Sequence, residues 1–241
     1  MSNILIIGAN SPMVSEFILK ANENLSNKLI LLVRNVDKFM KKNESKLDFS
    51  RIQLFSCDLE DDSVFSVLSQ IDDKFDSFCY VSGSTNISLI KFIKRESFNK
   101  VFEVNFNKPL FITQFLLKNK MLNNSSNVVY ISSISGEGKV APGIASYSTS
   151  KAALNNLVKV LAIENSNLKI KFNTICPGVV NTEFNDVVDN LKSDKSNILE
   201  NRYPLGFGNP NDISSLIKYF LVENTWISGQ NIVIDGGFSI N

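Results

Sequence analysis

Tyr147 and Lys151 stand four residues apart at the head of a run, Lys151 to Glu164, whose apolar residues Ala153, Leu154, Leu157, Val158, Leu161 and Ala162 recur at helical spacing. Four apart on a helix places both side chains on one side. The chain has no histidine, the side chain that ordinarily moves protons near neutral pH, so acid–base chemistry must use other groups. A free phenol titrates near ~10 and is a poor base at neutral pH. An ammonium ~4–6 Å away favours the phenolate by roughly 3–4 kcal/mol at an effective dielectric of ~20. That would bring Tyr147 into range to exchange a proton with an alcohol or a carbonyl. The same pair on an exposed helix face would do nothing, so the reading depends on what surrounds it.

The surrounding pattern is regular. Short apolar runs at Asn3–Ile7, Lys28–Val33, Arg51–Phe55, Asp76–Val81, Asn127–Ser132, Lys169–Ile175 and Asn231–Ile234 read as buried strands. Helical patterns alternate with them, at Pro12–Glu23, Val36–Lys42, Asp61–Ile71, Arg95–Met121, Ala145–Glu164 and Asn211–Val222. Seven strands alternating with helices predict an α/β fold, a doubly wound seven-stranded parallel sheet of Rossmann type with helices on both faces. No linker or repeat divides residues 1–241, which read as one domain. A polar stretch at about 183–201 reads as a substrate lid or a plain surface excursion.

Such sheets bind ligands beyond the carboxyl ends of their strands, where strand order reverses. After the first run comes Gly8-Ala9-Asn10-Ser11-Pro12-Met13, either a cradle in which main-chain N–H groups and a helix start hold a phosphate, or a plain turn. Arg34 follows the second run where an acidic residue would accept a ribose hydroxyl; a cation there suits a 2′-phosphate and favours NADP(H) over NAD(H). Asp58, before Leu59, could accept from an adenine amino group or cap the next helix. Ser82-Gly83 would allow close approach to the backbone. Asn105 sits among apolar residues and needs partners: it could bind backbone and bend its helix, or hold a water. Ser132, Ser133 and Ser135 offer hydroxyls at the edge where the Tyr147 helix begins, and Thr182 follows the sharp Pro177-Gly178 turn.

Composition removes alternatives. Lys and Arg number 25 against 24 Asp and Glu, with no basic stripe for nucleic acid. No run is long and apolar enough for a membrane span, and Met1 to Ile7 reads as a strand rather than a signal peptide. The three separated cysteines read as buried thiols of a cytoplasmic protein, and a metal site is not expected. Without histidine, Ser-His-Asp and Cys-His hydrolysis are excluded.

From Ile4 to Gly237 the chain resembles the short-chain dehydrogenase/reductase family in its single-domain branch. The likeness rests on an ordered set: the Gly8 turn, Asp58-Leu59, Gly83, Asn105, Ser133, Tyr147-x-x-x-Lys151, Pro177-Gly178 with Thr182, Pro204-Leu205-Gly206, and Gly229-Gln230 through Asp235-Gly236-Gly237. It implies an NAD(P)-dependent oxidoreductase passing hydride between nicotinamide and a secondary alcohol or ketone. Tyr147 would be the acid/base. Lys151 would lower its pKa and hold the nicotinamide ribose, Ser133 would orient the substrate oxygen, and Asn105 would hold a relay water. The cofactor would lie on Gly8, Asn10, Ser11 and Met13, on Arg34, Asp58 and Leu59, on Ser82 and Gly83, on Tyr147 and Lys151, and on Pro177, Gly178, Val180 and Thr182. Homotetramers or homodimers are common in the family, and apolar Trp226, Phe238 and Ile240 point to a subunit contact. Departures are the replacement of two customary glycines by Pro12 and Val14, the sequence Tyr80-Val81-Ser82-Gly83 after the fourth strand, and a Ser133–Tyr147 spacing one residue longer than usual. The single glycine also leaves open a non-catalytic dinucleotide-binding protein, and an epimerase or dehydratase acting on a sugar nucleotide is a third possibility.

Overall fold

Successive residues of a strand face opposite sides of its sheet, and in this chain both sides are apolar. In the computed structural model, which describes residues 2–24, 27–182 and 200–241, Leu5 and Ile7 enter one core while Ile4 and Ile6 enter another. The same division holds for Ile30 and Leu32 against Leu29 and Leu31. Such strands need helices on both faces. The strands are β1 (Ser2–Ile7), β2 (Asn27–Val33), β3 (Ile52–Ser56), β4 (Phe75–Tyr80), β5 (Leu122–Ile131), β6 (Lys171–Pro177) and β7 (Asn231–Ile234). They form one parallel sheet in the order β3-β2-β1-β4-β5-β6-β7.

Helices α1 (Pro12–Glu23), α2 (Val36–Asn43) and α7 (Pro210–Lys218) cover one face. Helices α3 (Ser63–Leu68), α5 (Lys108–Lys118) and α6 (Ala145–Glu164) cover the other. The chain runs outward from β1 to β3 and then returns to place β4 beside β1. The sheet therefore reverses between β1 and β4, and Gly8 and Ser82 leave it side by side.

The pattern over Arg95–Met121 predicts one helix, but the structure divides it. Helix α4 (Arg95–Phe102) passes into a π-turn, Glu103–Asn107, before α5 begins. Pro109 supplies the reason. It has no N–H to offer the carbonyl of Asn105 four residues back, and its ring crowds that carbonyl, so the turn widens. Tyr80 takes advantage of the wider turn by donating its hydroxyl to the Val104 carbonyl at 2.6 Å. Strand β5 begins at Leu122, five residues before the apolar run, and α3 is shorter than the predicted Asp61–Ile71. Of the expected lid, residues 183–199, including Phe184, Val187 and Val188, lie outside the described residues. All three cysteines are buried and free. Among the described residues, no helix is long and apolar enough to cross a membrane.

Candidate active site

The turn after β1 is shaped by what it cannot contain. Gly8 has φ +90, and a Cβ there would overlap the Ser82 side chain and stand 2.8 Å from its main-chain nitrogen. Only glycine meets both constraints. Pro12 occupies the first turn of α1, Ser11 makes no capping side-chain bond, and no acidic residue fills that turn. The helix start thus retains main-chain N–H groups and the positive dipole end for an anion. Val14 is fully buried in the core on the α1 side, so this departure from the glycine pattern fills the core rather than the cradle. Ser214 of α7 donates to the Met13 carbonyl at 2.9 Å and fixes the turn from behind. The cradle therefore fits a dinucleotide diphosphate.

The second cluster lies at the ends of β4 and β5. Ser133 lies two residues beyond β5 and caps a short 3-10 turn, Ile134–Glu137, with its hydroxyl accepting from the Ser135 N–H at 3.1 Å. That same hydroxyl faces the Tyr147 phenol and acts to lower it. Ser132 instead points its hydroxyl at the Lys151 carbonyl on α6, at 3.4 Å, so of the serines Ser133 is the one that meets the phenol. Lys151 is 3% exposed; its ammonium donates to the Ile131 carbonyl at 2.8 Å and lies 5.9 Å from the centre of the Tyr147 ring. Gly83 faces the same point: a Cβ there would stand 3.5 Å from both Lys151 Nζ and Asn105 Oδ1.

Asn105 is fully buried. Its amide accepts from the Ser84 N–H at 2.8 Å and donates to the Ser84 carbonyl at 2.9 Å and to Ser150 Oγ at 3.0 Å. It pins the loop after β4 to α6. Both amide hydrogens are used, so a water held by Asn105 would have to bond one of its oxygens.

The electrostatics correct one expectation. Burial holds Tyr147 above its ordinary value, opposed by the Ser133 hydroxyl; no lowering by Lys151 offsets it. The ammonium is itself desolvated, which lowers Lys151 from 10.5 to about 8, and it is directed at a carbonyl rather than at the phenol. Lys151 keeps its proton to about 10.5 when unfolded but loses it near 8 when folded. Between those values the unfolded chain binds more protons, so stability rises with pH. Measured by urea unfolding, the wild type gains up to about 3 kcal/mol on a Lys151→Met variant across that window. A difference that stays flat from pH 7 to 10.5 excludes the buried charge.

The Enoyl-(Acyl carrier protein) reductase family description matches residues 26–239. The chain belongs to the short-chain dehydrogenase/reductase family. Its members are oxidoreductases on an NAD(P)-binding Rossmann fold. The 3-oxoacyl-(acyl-carrier-protein) reductase FabG of Rickettsia conorii is 28% identical over 236 residues, 97% of this chain and 95% of that one. A tropinone reductase homolog of Datura stramonium is 29% identical over 73% of this chain and 67% of its own length. Among solved structures, a 4-hydroxyisoleucine dehydrogenase complexed with NADH superposes with a TM-score of 0.85 at 26% identity, over 100% of both chains.

Within this dehydrogenase/reductase, the other expected cofactor positions divide into two groups. Arg34 Nε and Asp58 Oδ2 lie 3.8 Å apart at the ends of β2 and β3, both substantially exposed. Asp58 also accepts from the Glu60 N–H, a turn bond rather than a helix cap, since α3 starts only at Ser63. Leu59 is buried and Asn10 is exposed. On the far side, Gly178 leaves no room for a side chain between Asp235 and Tyr203. Val180 pairs with Gly208, and Thr182 is the last residue described before the break.

Three contributors escaped the sequence reading. Ser150 is buried and links Asn105 to the Tyr147 carbonyl. Its place between Tyr147 and Lys151 was the available signal. Tyr203 accepts the Val179 N–H at 3.1 Å and stacks on Phe238 at 4.5 Å, holding the Pro177-Gly178 turn. Nothing local marks Tyr203 for this; its partners come from distant parts of the chain. Glu137 is the third.

Proposed function

We propose that this protein is an NADP(H)-preferring oxidoreductase that interconverts a ketone and a secondary alcohol, with Tyr147 as the proton donor and acceptor. The Ser133–Tyr147 hydroxyl pair beside the buried Lys151 is the observation that carries the reading. Bound nicotinamide supplies the hydride chemistry. The chain's own residues do the rest. Ser133 orients the substrate oxygen, and Tyr147 places its proton on that oxygen. Lys151, charged at neutral pH, would hold ribose hydroxyls. Asn105 keeps Ser84 and α6 in register around it. A phenol held above its ordinary value stays protonated at neutral pH, the form that can give a proton to a carbonyl oxygen.

The substrate is proposed to be predominantly apolar beside its carbonyl. Ile87, Leu89, Ile90 and Phe92, on the loop after β4, and Val140, after the Ser133 turn, are exposed. The two loops are joined by a bond from the Ser88 N–H to the Gly143 carbonyl at 2.8 Å. The name of the Rickettsia relative suggests β-keto acyl thioesters as the first substrates to try. A screen following NADPH absorbance tests the proposal, with enoyl thioesters included because of the family description. Turnover of an enoyl but no keto substrate would overturn the ketone assignment.

The cofactor preference rests on Arg34. Its ion pair with Asp58 is exposed and worth little, so the guanidinium is available to a 2′-phosphate. Arg34→Ala should weaken NADPH binding about tenfold and leave NADH binding unchanged in fluorescence titrations. A wild type that prefers NADH removes this assignment. We also propose a cytoplasmic homo-oligomer, a dimer or tetramer, because Trp226 and Ile240 are 93% and 91% exposed; light scattering tests the assembly.

A further inference from the structure

The turn from Ser133 to Tyr147 is one residue longer than the family spacing, yet it delivers Ser133 to the phenol. The side chain that holds it is Glu137. One carboxylate oxygen, Oε1, accepts from Asn155 Nδ2 at 2.6 Å and from Asn231 Nδ2 at 2.8 Å. Asn155 is buried one helical turn beyond Lys151 on α6. Asn231 opens β7, and its side-chain Oδ1 accepts from Thr174 Oγ1 of β6 at 2.8 Å. The turn itself is closed by the Gly136 N–H on the Ser133 carbonyl at 2.9 Å and reverses at Gly138, φ +89. Gly136 lies so near α6 that a Cβ would stand 2.8 Å from the Lys151 carbonyl carbon. The turn is therefore pressed on the helix at Gly136 and tied to it at Glu137.

We infer that Glu137 is a positioning residue: its carboxylate fastens the turn bearing Ser133 both to the helix bearing Tyr147 and Lys151 and to the edge strand β7, and so sets where the Ser133 hydroxyl stands against the Tyr147 phenol. The catalytic importance of that placement rests on the function proposed above; the clamp itself does not. Glutamine at this position keeps one oxygen able to accept from both asparagines, whereas alanine keeps none. Glu137 is exposed, so its truncation opens no cavity.

The experiment compares Glu137→Ala and Glu137→Gln by two readouts. The first is steady-state kinetics. Alanine should lower kcat about tenfold or more, since small misplacements of reacting groups are costly, while NADPH affinity stays within twofold; glutamine should restore most of kcat. The second needs no turnover. Tyrosine labelled at its phenolic carbon is titrated by NMR, with the Tyr147 signal assigned from Tyr147→Phe. The groups bearing on that phenol are Ser133, Lys151 and Cys176; the Glu137 charge bears on Cys176, and both variants remove it alike. The Tyr147 midpoint should move upward in Glu137→Ala and stay in place in Glu137→Gln. An unmoved midpoint in the alanine variant, or a glutamine variant as impaired as alanine, overturns the clamp. A midpoint that moves as expected, in a protein whose Tyr147→Phe variant turns over normally, upholds the clamp and removes the catalytic reading instead.

Discussion

Tyr147→Phe lowers kcat by about 10²–10⁴-fold, the usual contribution of a positioned general acid, and leaves NADPH affinity nearly unchanged. The hydroxyl is the only atom removed. It faces the Ser133 hydroxyl, and the ring, half-buried beside Lys151, keeps its packing. Stability should change by about 1 kcal/mol at most, the worth of one hydrogen bond. Turnover and binding are thereby separated, with absorbance assays giving the first and fluorescence titration the second. The separation also distinguishes an enzyme from a dinucleotide-binding protein that has lost its chemistry. Full activity in the variant would take the proton role from Tyr147. Absence of nicotinamide binding in the wild type would instead fail the cradle at Gly8.

Gly8→Ala is expected to be the most damaging single change in the dinucleotide turn, costing about 3 kcal/mol or more and abolishing NADPH binding. Two effects combine. A side chain at φ +90 is strained by about 1–2 kcal/mol. The new Cβ would also sit 2.8 Å from the main-chain nitrogen of Ser82, and overpacking of this kind costs a further ~1–3 kcal/mol. Ser82 cannot withdraw easily, because β4 is hydrogen-bonded to β1 on one side and β5 on the other. Gly138→Ala supplies the control. Its φ is +89, but nothing lies within 4 Å of the added Cβ, so it carries the strain alone. Urea unfolding of the two variants should differ by the cost of the clash; equal losses would show that Ser82 yields and the turn is softer than its geometry indicates.

The alternation of apolar strands and amphipathic helices determined the doubly wound sheet, because a strand that is apolar on both sides has to be covered on both sides. Chain position alone also placed Gly8, Ser82, Ser133 and Tyr147 at the carboxyl edge, since each follows a strand or opens the helix beyond one. Even the π-turn at Glu103–Asn107 was legible in principle: Pro109 withholds an N–H from Asn105, and that is a local fact. What the sequence could not decide is which neighbours meet. Ser132, Ser133 and Ser135 are alike in type and nearly in position; only the packing of Gly136 against α6 and the Glu137 bonds to Asn155 and Asn231 turn Ser133 toward the phenol. The charge state of the Tyr147–Lys151 pair was likewise a tertiary matter. Spacing puts the two side chains together, but their pKa values depend on the water excluded around them and on the Ile131 carbonyl that takes the lysine's hydrogen bond. Desolvation is a property of the assembled fold, and here it outweighs the attraction that the spacing by itself predicts.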